Sequence, residues 1–165
     1  YCGDGKGKTT TSVGLTVRAA GSGKKVLFYQ FLKNNSSSER SILEKQLGIN
    51  VVSGKELQKF TFQMNEEELK ELRDYNNEML DKLFEMAKDY DMLVLDESVY
   101  SIDKDLLDEA KLIEHLEKKP FALEVVLSGR NPSERLIDHA DYVSEIRKIK
   151  HPFDQGISSR IGIEM

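Results

Sequence analysis

Eight residues near the start of the chain, Gly3-Asp4-Gly5-Lys6-Gly7-Lys8-Thr9-Thr10, constrain the fold more than any other stretch. Three glycines at alternate positions, two lysines and two threonines lead directly into a run that reads as a helix. The segment is nearly a G-x-x-x-x-G-K-[ST] loop. There the glycines let backbone N–H groups surround a phosphate, the lysine reaches the outer phosphates and the hydroxyl holds Mg²⁺. Counting back from Gly7-Lys8-Thr9, the first glycine belongs at position 2, where the chain has Cys2. Starting from Gly3, the loop is one residue short and carries an additional cation, Lys6. A loop of this kind joins a buried strand to a helix. Only Tyr1 and Cys2 precede it and there is no initiator Met, so a further strand is expected upstream of Tyr1. The plainer reading, a glycine-rich turn with solvated lysines, leaves the hydroxyls and the following helix unexplained.

The chain has 165 residues, a length expected to form one domain with a substantial core. Its net charge of −5 argues against a nucleic-acid binder, whose footprint is a basic face. A single cysteine excludes an internal disulfide framework and fits a reducing cytoplasm. No apolar stretch reaches the length of a membrane span and nothing resembles a signal peptide.

Beyond the loop, short apolar runs alternate with amphipathic stretches. Residues 9–20 read as a helix with Val13, Leu15, Val17 and Ala20 available for packing, stopped by Gly21-Ser22-Gly23. Residues 25–31 (KVLFYQF), 91–96 (DMLVLD) and 123–127 (LEVVL) are buried-strand runs. Residues 34–38 read as a loop, 41–47 as a helical turn or two, and 49–52 as a short strand. Residues 65–88 carry Leu69, Leu72, Met79, Leu83 and Met86 at helical spacing, with Asn65 as N-cap and three glutamates in the first turn. A second amphipathic helix spans 106–116. Asn131, Pro132 and Glu134 suggest an N-cap, a first-turn proline and a capping-box partner for a helix to about residue 139. Residues 142–149 are a last strand candidate. The alternation predicts an α/β fold, a three-layer, mainly parallel sheet with helices on both faces. Ligands of such sheets sit at the carboxyl ends of the strands. The loop, Asp96-Glu97 and Ser128-Gly129-Arg130 should converge there.

Several side chains could carry chemistry. Asp96 and Glu97 end a strand, where a carboxylate can hold Mg²⁺ beside phosphate oxygens, although acids at strand ends are also common caps. Arg18 and Arg130 could each clamp a phosphate through the planar guanidinium fork; for Arg18 a surface helix position fits the spacing equally well. Phe60 and Phe62 flank Thr61 and face one way in extended backbone, for core packing or for a flat ligand. His115, His139 and His151 have no metal-ligand spacing, and no nucleophile elbow or Cys/His signature occurs. Arg147, Lys148 and Lys150 form a small basic cluster, ordinarily a solvated face.

Taken together these segments resemble the P-loop type of cob(I)alamin (corrinoid) adenosyltransferase, almost end to end. The residues that carry the likeness are GDGKGKTT (3–10), VRAAG (17–21), YQFLK (29–33), FTF (60–62), LVLDE (93–97), LSGRNP (127–132), ADYVSEIR (140–147) and KHPFDQGI (150–157). The short loop and a tail reading K-H-x-F-D-x-G-[IV] are typical of that family. The resemblance implies a fold of the P-loop NTPase (RecA-like) kind and transfer of the 5′-deoxyadenosyl group of ATP to the Co(I) of a reduced corrinoid, cobalamin or cobinamide, releasing triphosphate. It further implies a homodimer and a flavoprotein reductant. Carried over, Gly3, Asp4, Gly5, Lys6, Gly7, Lys8, Thr9, Thr10 and Arg18 would contact the triphosphate, with Arg130 a further phosphate candidate. Thr9 and Glu97 would hold Mg²⁺, with Asp96 as a further ligand candidate. Phe60 and Phe62 would face the corrin and help displace its lower axial ligand. One common form of that motif has Trp as the second aromatic and glycine before the first; this chain has no Trp and carries Lys59. The competing readings are a P-loop ATPase or small-molecule kinase, and a nucleotide-dependent regulatory protein without turnover.

Overall fold

The computed structural model describes residues 1–164. Four strands, β1 (Val26–Gln30), β2 (Ile49–Val51), β3 (Met92–Asp96) and β4 (Glu124–Leu127), form one sheet in the order β2-β1-β3-β4. Every pairing is parallel, with Val26 opposite both Ile49 and Met92, and Leu93 opposite Val125. The helices are α1 (Lys8–Gly21), α2 (Arg40–Leu43), α3 (Glu66–Met86), α4 (Ser98–Asp103), α5 (Glu109–Lys118) and α6 (Glu134–Asp138).

Alternation along the strands builds two cores. Leu27, Tyr29, Leu93 and Leu95 point to one face and pack with Leu80, Leu83 and Phe84 of α3 and Leu112 and Ile113 of α5. Val26, Phe28, Met92 and Val94 point to the other, against Ala19 of α1 and Leu43 of α2. β1 and β3 are therefore buried throughout, which is why both read as unbroken apolar runs.

Most elements lie where the sequence placed them, and the exceptions have physical causes. The buried face of α1 is Lys8, Ser12, Thr16 and Ala19, while Val17 is 50% exposed. The loop sets the rotation of this helix, and small residues on its inner face let it lie close to the sheet. Met86 is likewise exposed and Phe84 takes the inner position. The helix expected over 106–116 begins later, because Asp105 (φ 55°) breaks the chain direction and Asp108 caps Lys111 N–H at 3.1 Å. The cap of α6 is Ser133, whose hydroxyl accepts from Leu136 N–H at 3.0 Å. Asn131 instead takes φ 51° and donates to Asp103 Oδ1.

Residues 142–149 form no strand; they make a single parallel bridge, Cys2 to Glu145. Tyr1 N donates to Leu127 O (2.8 Å) and Gly129 N to Tyr1 O (3.1 Å), while Cys2 N donates to Ser144 O (2.9 Å) and Ile146 N to Cys2 O (2.8 Å). Tyr1 and Cys2 thus lie in strand position between β4 and residues 144–146, and the chain then turns away at Gly3.

Candidate functional site

The glycine loop turns directly off this strand position. Gly3 has φ 108°, and a Cβ there would lie 2.4 Å from Ile146 O; Gly5 N–H donates to the same carbonyl at 2.7 Å. The loop therefore lies flat against residues 146–148, and Asp4 Oδ1 accepts Lys148 N–H at 2.8 Å. That hydrogen bond is the main reason the Asp4 carboxyl is held below its usual range.

α1 starts after Gly7 with no side-chain cap, so its first N–H groups are left to whatever enters the loop. Lys8 arches back, its Nζ donating to Gly5 O at 2.7 Å. Burial, and then the neighbouring Arg130, push the Lys8 ammonium below its ordinary pKa. An added anion in the loop would relieve both effects.

Asp96 and Glu97 end β3 beside the loop but face different surroundings. Asp96 is fully buried. Its Oδ1 accepts Ser128 Oγ–H (2.5 Å) and its Oδ2 accepts Thr9 Oγ1–H (3.1 Å), Gln30 Nε2–H (3.0 Å) and Lys33 Nζ–H (2.9 Å). Glu97 sits at φ 60°, an uncommon conformation for a non-glycine residue, held by its N–H to Ser128 Oγ (3.0 Å) and by Ser101 N–H to its carbonyl (2.9 Å). Its carboxylate has no hydrogen bond or ion pair among the described residues. Burial and then the Asp96 charge raise its pKa.

A cleft of about 570 Å³ joins these parts. Asp4, Gly5, Lys6, Gly7, Lys8, Thr9 and Thr10 line it, together with Glu97 and Arg130, so most of the predicted phosphate residues meet in one place. Gly129 delivers Arg130 by packing so closely on α4 that a Cβ would lie 2.3 Å from Tyr100 N. Lys148, His151, Phe153, Asp154 and Glu164 also line the cleft. This gives the tail motif a location: Pro152–Gln155 form a 3₁₀ turn, and Lys148 pairs with Asp154 at 2.9 Å.

Two predicted groups stand elsewhere. Arg18 is exposed near the far end of α1, about 15 Å along the axis from Lys8. Phe60 and Phe62, 71% and 81% exposed, lie outside the cleft at the 3₁₀ turn Thr61–Gln63. Their rings stack at 5.5 Å with planes 7° apart. That turn belongs to the segment leaving the carboxyl end of β2. Asn34 and Asn35 tie the segment to the loop after β1 through Leu57 N–H (2.8 Å) and Gly54 (3.0 Å to both its N–H and its carbonyl).

Sequence reasoning brought Ser128 to the site but gave no role to Gln30 or Lys33, which with it anchor Asp96. Gln30 ends β1, and Lys33 and Ser128 come just after strand runs, which was the available signal. A second cleft of about 370 Å³, lined by Cys2, Val125, Leu127, Leu136 and Val143 among others, is largely aliphatic and offers no comparable gathering of cations.

The oxygen set fits a divalent cation that brings phosphate with it. Thr9 offers a hydroxyl and Glu97 a free carboxylate, while among the described residues no three His, Cys, Asp or Glu side chains gather as a self-sufficient cage.

A parallel α/β sheet with an anion-suited glycine loop at its carboxyl edge defines the class of protein. The particular family follows from comparison with known proteins. Residues 1–165 match the family described as ATP:corrinoid adenosyltransferase BtuR/CobO/CobP. The chain is 33% identical over 169 residues to the corrinoid adenosyltransferase of Escherichia coli (strain K12), covering 99% of this chain and 83% of that protein. It is 34% identical over 169 residues, with the same coverage, to the corrinoid adenosyltransferase CobA of Salmonella typhimurium (strain LT2). Against the corrinoid adenosyltransferase of a Sinorhizobium species it is 35% identical over 165 residues, covering 98% of this chain and 77% of that protein. The chain belongs to the ATP:corrinoid adenosyltransferase family.

Proposed function

We propose that this protein transfers the 5′-deoxyadenosyl group of ATP to the Co(I) of a reduced corrinoid and releases inorganic triphosphate. Co(I) supplies both electrons of the new Co–C5′ bond and becomes formally Co(III). The C5′–O bond breaks, and its electron pair leaves with the triphosphate. The protein needs neither nucleophile nor general base for this; it must align cobalt with C5′ and stabilise a departing polyanion. The observation that carries the reading is the cleft in which Lys8, the uncapped start of α1, Arg130 and the free Glu97 carboxylate converge.

In this reading Gly3 to Gly7 shape the loop, while Lys8, Thr10 and Arg130 hold phosphate oxygens. Thr9 and Glu97 orient Mg²⁺, which when bound neutralises charge on the triphosphate. Asp96 orders Thr9 rather than ligating directly. Arg18, placed away from the loop, would contact phosphate only if another chain or a rearrangement brought it there. The exposed, stacked Phe60 and Phe62 present an aromatic face to the corrin. The resemblance also supports a homodimer and a flavoprotein electron donor. No helix among the described residues is long and apolar enough to cross a membrane, and a cytoplasmic setting is part of the same reading.

The test is the phosphate product. Purified protein is incubated with ATP, Mg²⁺ and chemically reduced corrinoid, and the released phosphates are separated by chromatography. Triphosphate, formed in step with the absorption spectrum of a cobalt–carbon bond, is expected. ADP released without any need for corrinoid would overturn the reading in favour of an ATPase or kinase. Bound ATP without turnover would leave a nucleotide-dependent binding protein.

A further inference from the structure

Lys33 has no part in the reaction as described, yet it sits at the centre of the cation site. β1 ends at Gln30, and Leu32 then takes φ 53°, a left-handed conformation that a non-glycine residue adopts only when its surroundings hold it there. The turn folds Lys33 back over the ends of β1 and β3. Its ammonium donates to Thr9 Oγ1 at 3.0 Å and to Asp96 Oδ2 at 2.9 Å, with Glu39 Oε1 at 3.9 Å.

The Thr9 hydroxyl has one proton and two lone pairs. Its proton is given to Asp96 Oδ2, and Lys33 occupies the lone-pair side. A metal ligated by Thr9 would take a lone pair of the same oxygen, beside the ammonium, whose positive charge opposes it. Asp96 is fully buried, so withdrawing every cation from it would leave a carboxylate unpaired in the interior, which is strongly unfavourable. Glu39 offers the ammonium another anchor only a short side-chain movement away, and it is already held in place by Gln30 Nε2–H at 2.7 Å.

We propose that Lys33 is the resident occupant of the divalent-cation site. Its ammonium stands on Thr9 and Asp96 in the free protein, and moves toward Glu39 when a divalent cation binds Thr9. Lys33 is thus a positioning residue that keeps Asp96 paired while no metal is bound and lowers the affinity of the empty site for metal. The role rests on the reading of Thr9 as a metal ligand, but its test does not depend on nucleotide, corrinoid or turnover.

The experiment titrates the nucleotide-free protein with Mn²⁺ alone, following loss of the free-ion paramagnetic resonance signal. Lys33→Met removes a positive charge beside the metal position, so Mn²⁺ should bind about tenfold more tightly than to the wild type. Adding Thr9→Val to Lys33→Met should abolish the gain, and Lys33→Arg should stay near wild type. Equal or weaker Mn²⁺ binding by a cooperatively unfolding Lys33→Met protein overturns the proposal, as does a gain that survives Thr9→Val. If Lys33→Met does not fold, Lys33→Gln, neutral but still able to hydrogen-bond Asp96, is read by the same criteria. A purely structural lysine would not produce a gain in affinity. A failed product assay would remove the transferase reading and leave the titration result intact; a failed titration would leave the transferase reading intact.

Discussion

Asp96 and Glu97 carry the same functional group one residue apart, and backbone geometry separates their roles. Asp96 ends β3 pointing into the sheet edge, where four donors hold it. Glu97 turns through φ 60° and leaves its carboxylate beside the cleft without a partner. Burial first, and Asp96 second, raise its pKa, so the folded protein takes up a proton at Glu97 more readily than the unfolded chain does. A group shifted this way contributes stability below the ordinary carboxylate pKa and loses it as pH rises through the folded value. Glu97→Gln lacks this penalty. The variant should therefore melt higher than wild type in metal-free buffer at pH 7 to 8, and the difference should shrink toward zero as pH falls below about 4.3. Melting curves at several pH values check this; a difference that grows on acidification would contradict it. The same variant should lose transfer activity, since a stability gain at a functional charge is usually offset by lost function.

At the scale of elements, α3 explains how an exposed aromatic pair can be ordered. Asn65 and Glu68 form a reciprocal capping box, each side chain accepting from the other's backbone N–H at 2.9 Å. The helix behind them is anchored by Leu72, Leu80 and Leu83. The start of the helix is therefore fixed, and the 3₁₀ turn bearing Phe60 and Phe62 immediately precedes it. Because Phe62 buries little, Phe62→Ala should alter unfolding free energy by less than about 0.5 kcal/mol. Turnover from Co(II) under a reductant should nevertheless fall about tenfold more than turnover from pre-reduced Co(I), as expected if the ring acts before alkyl transfer. Equal losses in the two assays would remove the axial-ligand role. Elements also show where sequence periodicity misled: α1 presents Val17 to solvent and buries Ser12, Thr16 and Ala19. Hydrophobicity alone points to the wrong face there, because close approach to the sheet, rather than apolar area, selects the inner residues.

At the scale of the whole molecule, the cleft is built from both ends of the chain. Asp4 and Lys148 are joined by a hydrogen bond across 144 positions, and Phe153 and Asp154 of the Pro152–Gln155 turn line the cleft together with the loop. Phe153 is 71% exposed and borders the cleft without entering either core. Phe153→Ala should leave the melting temperature near wild type and weaken ATP binding about threefold to tenfold, the range of one aromatic contact. Calorimetric titration would measure it, and unchanged affinity would place the nucleotide away from Phe153.

Local rules made much of this legible. The parallel strands follow from unbroken apolar runs, the Asn65 cap from its position before three glutamates, and the loop from glycine spacing ahead of a helix. Chemistry of this kind depends on neighbours a few residues away, so the order of residues determines it. What the tertiary structure alone decided is which groups are free. Whether Asp96 or Glu97 remains available, whether Lys33 reaches Thr9, and whether Arg18 approaches the loop depend on strand register and helix rotation. Those are set by packing between segments as far apart as β1 and β3, whose ends meet at Gln30 and Asp96. The short loop is legible in the sequence itself; the charges arranged around it emerge only when the sheet is assembled.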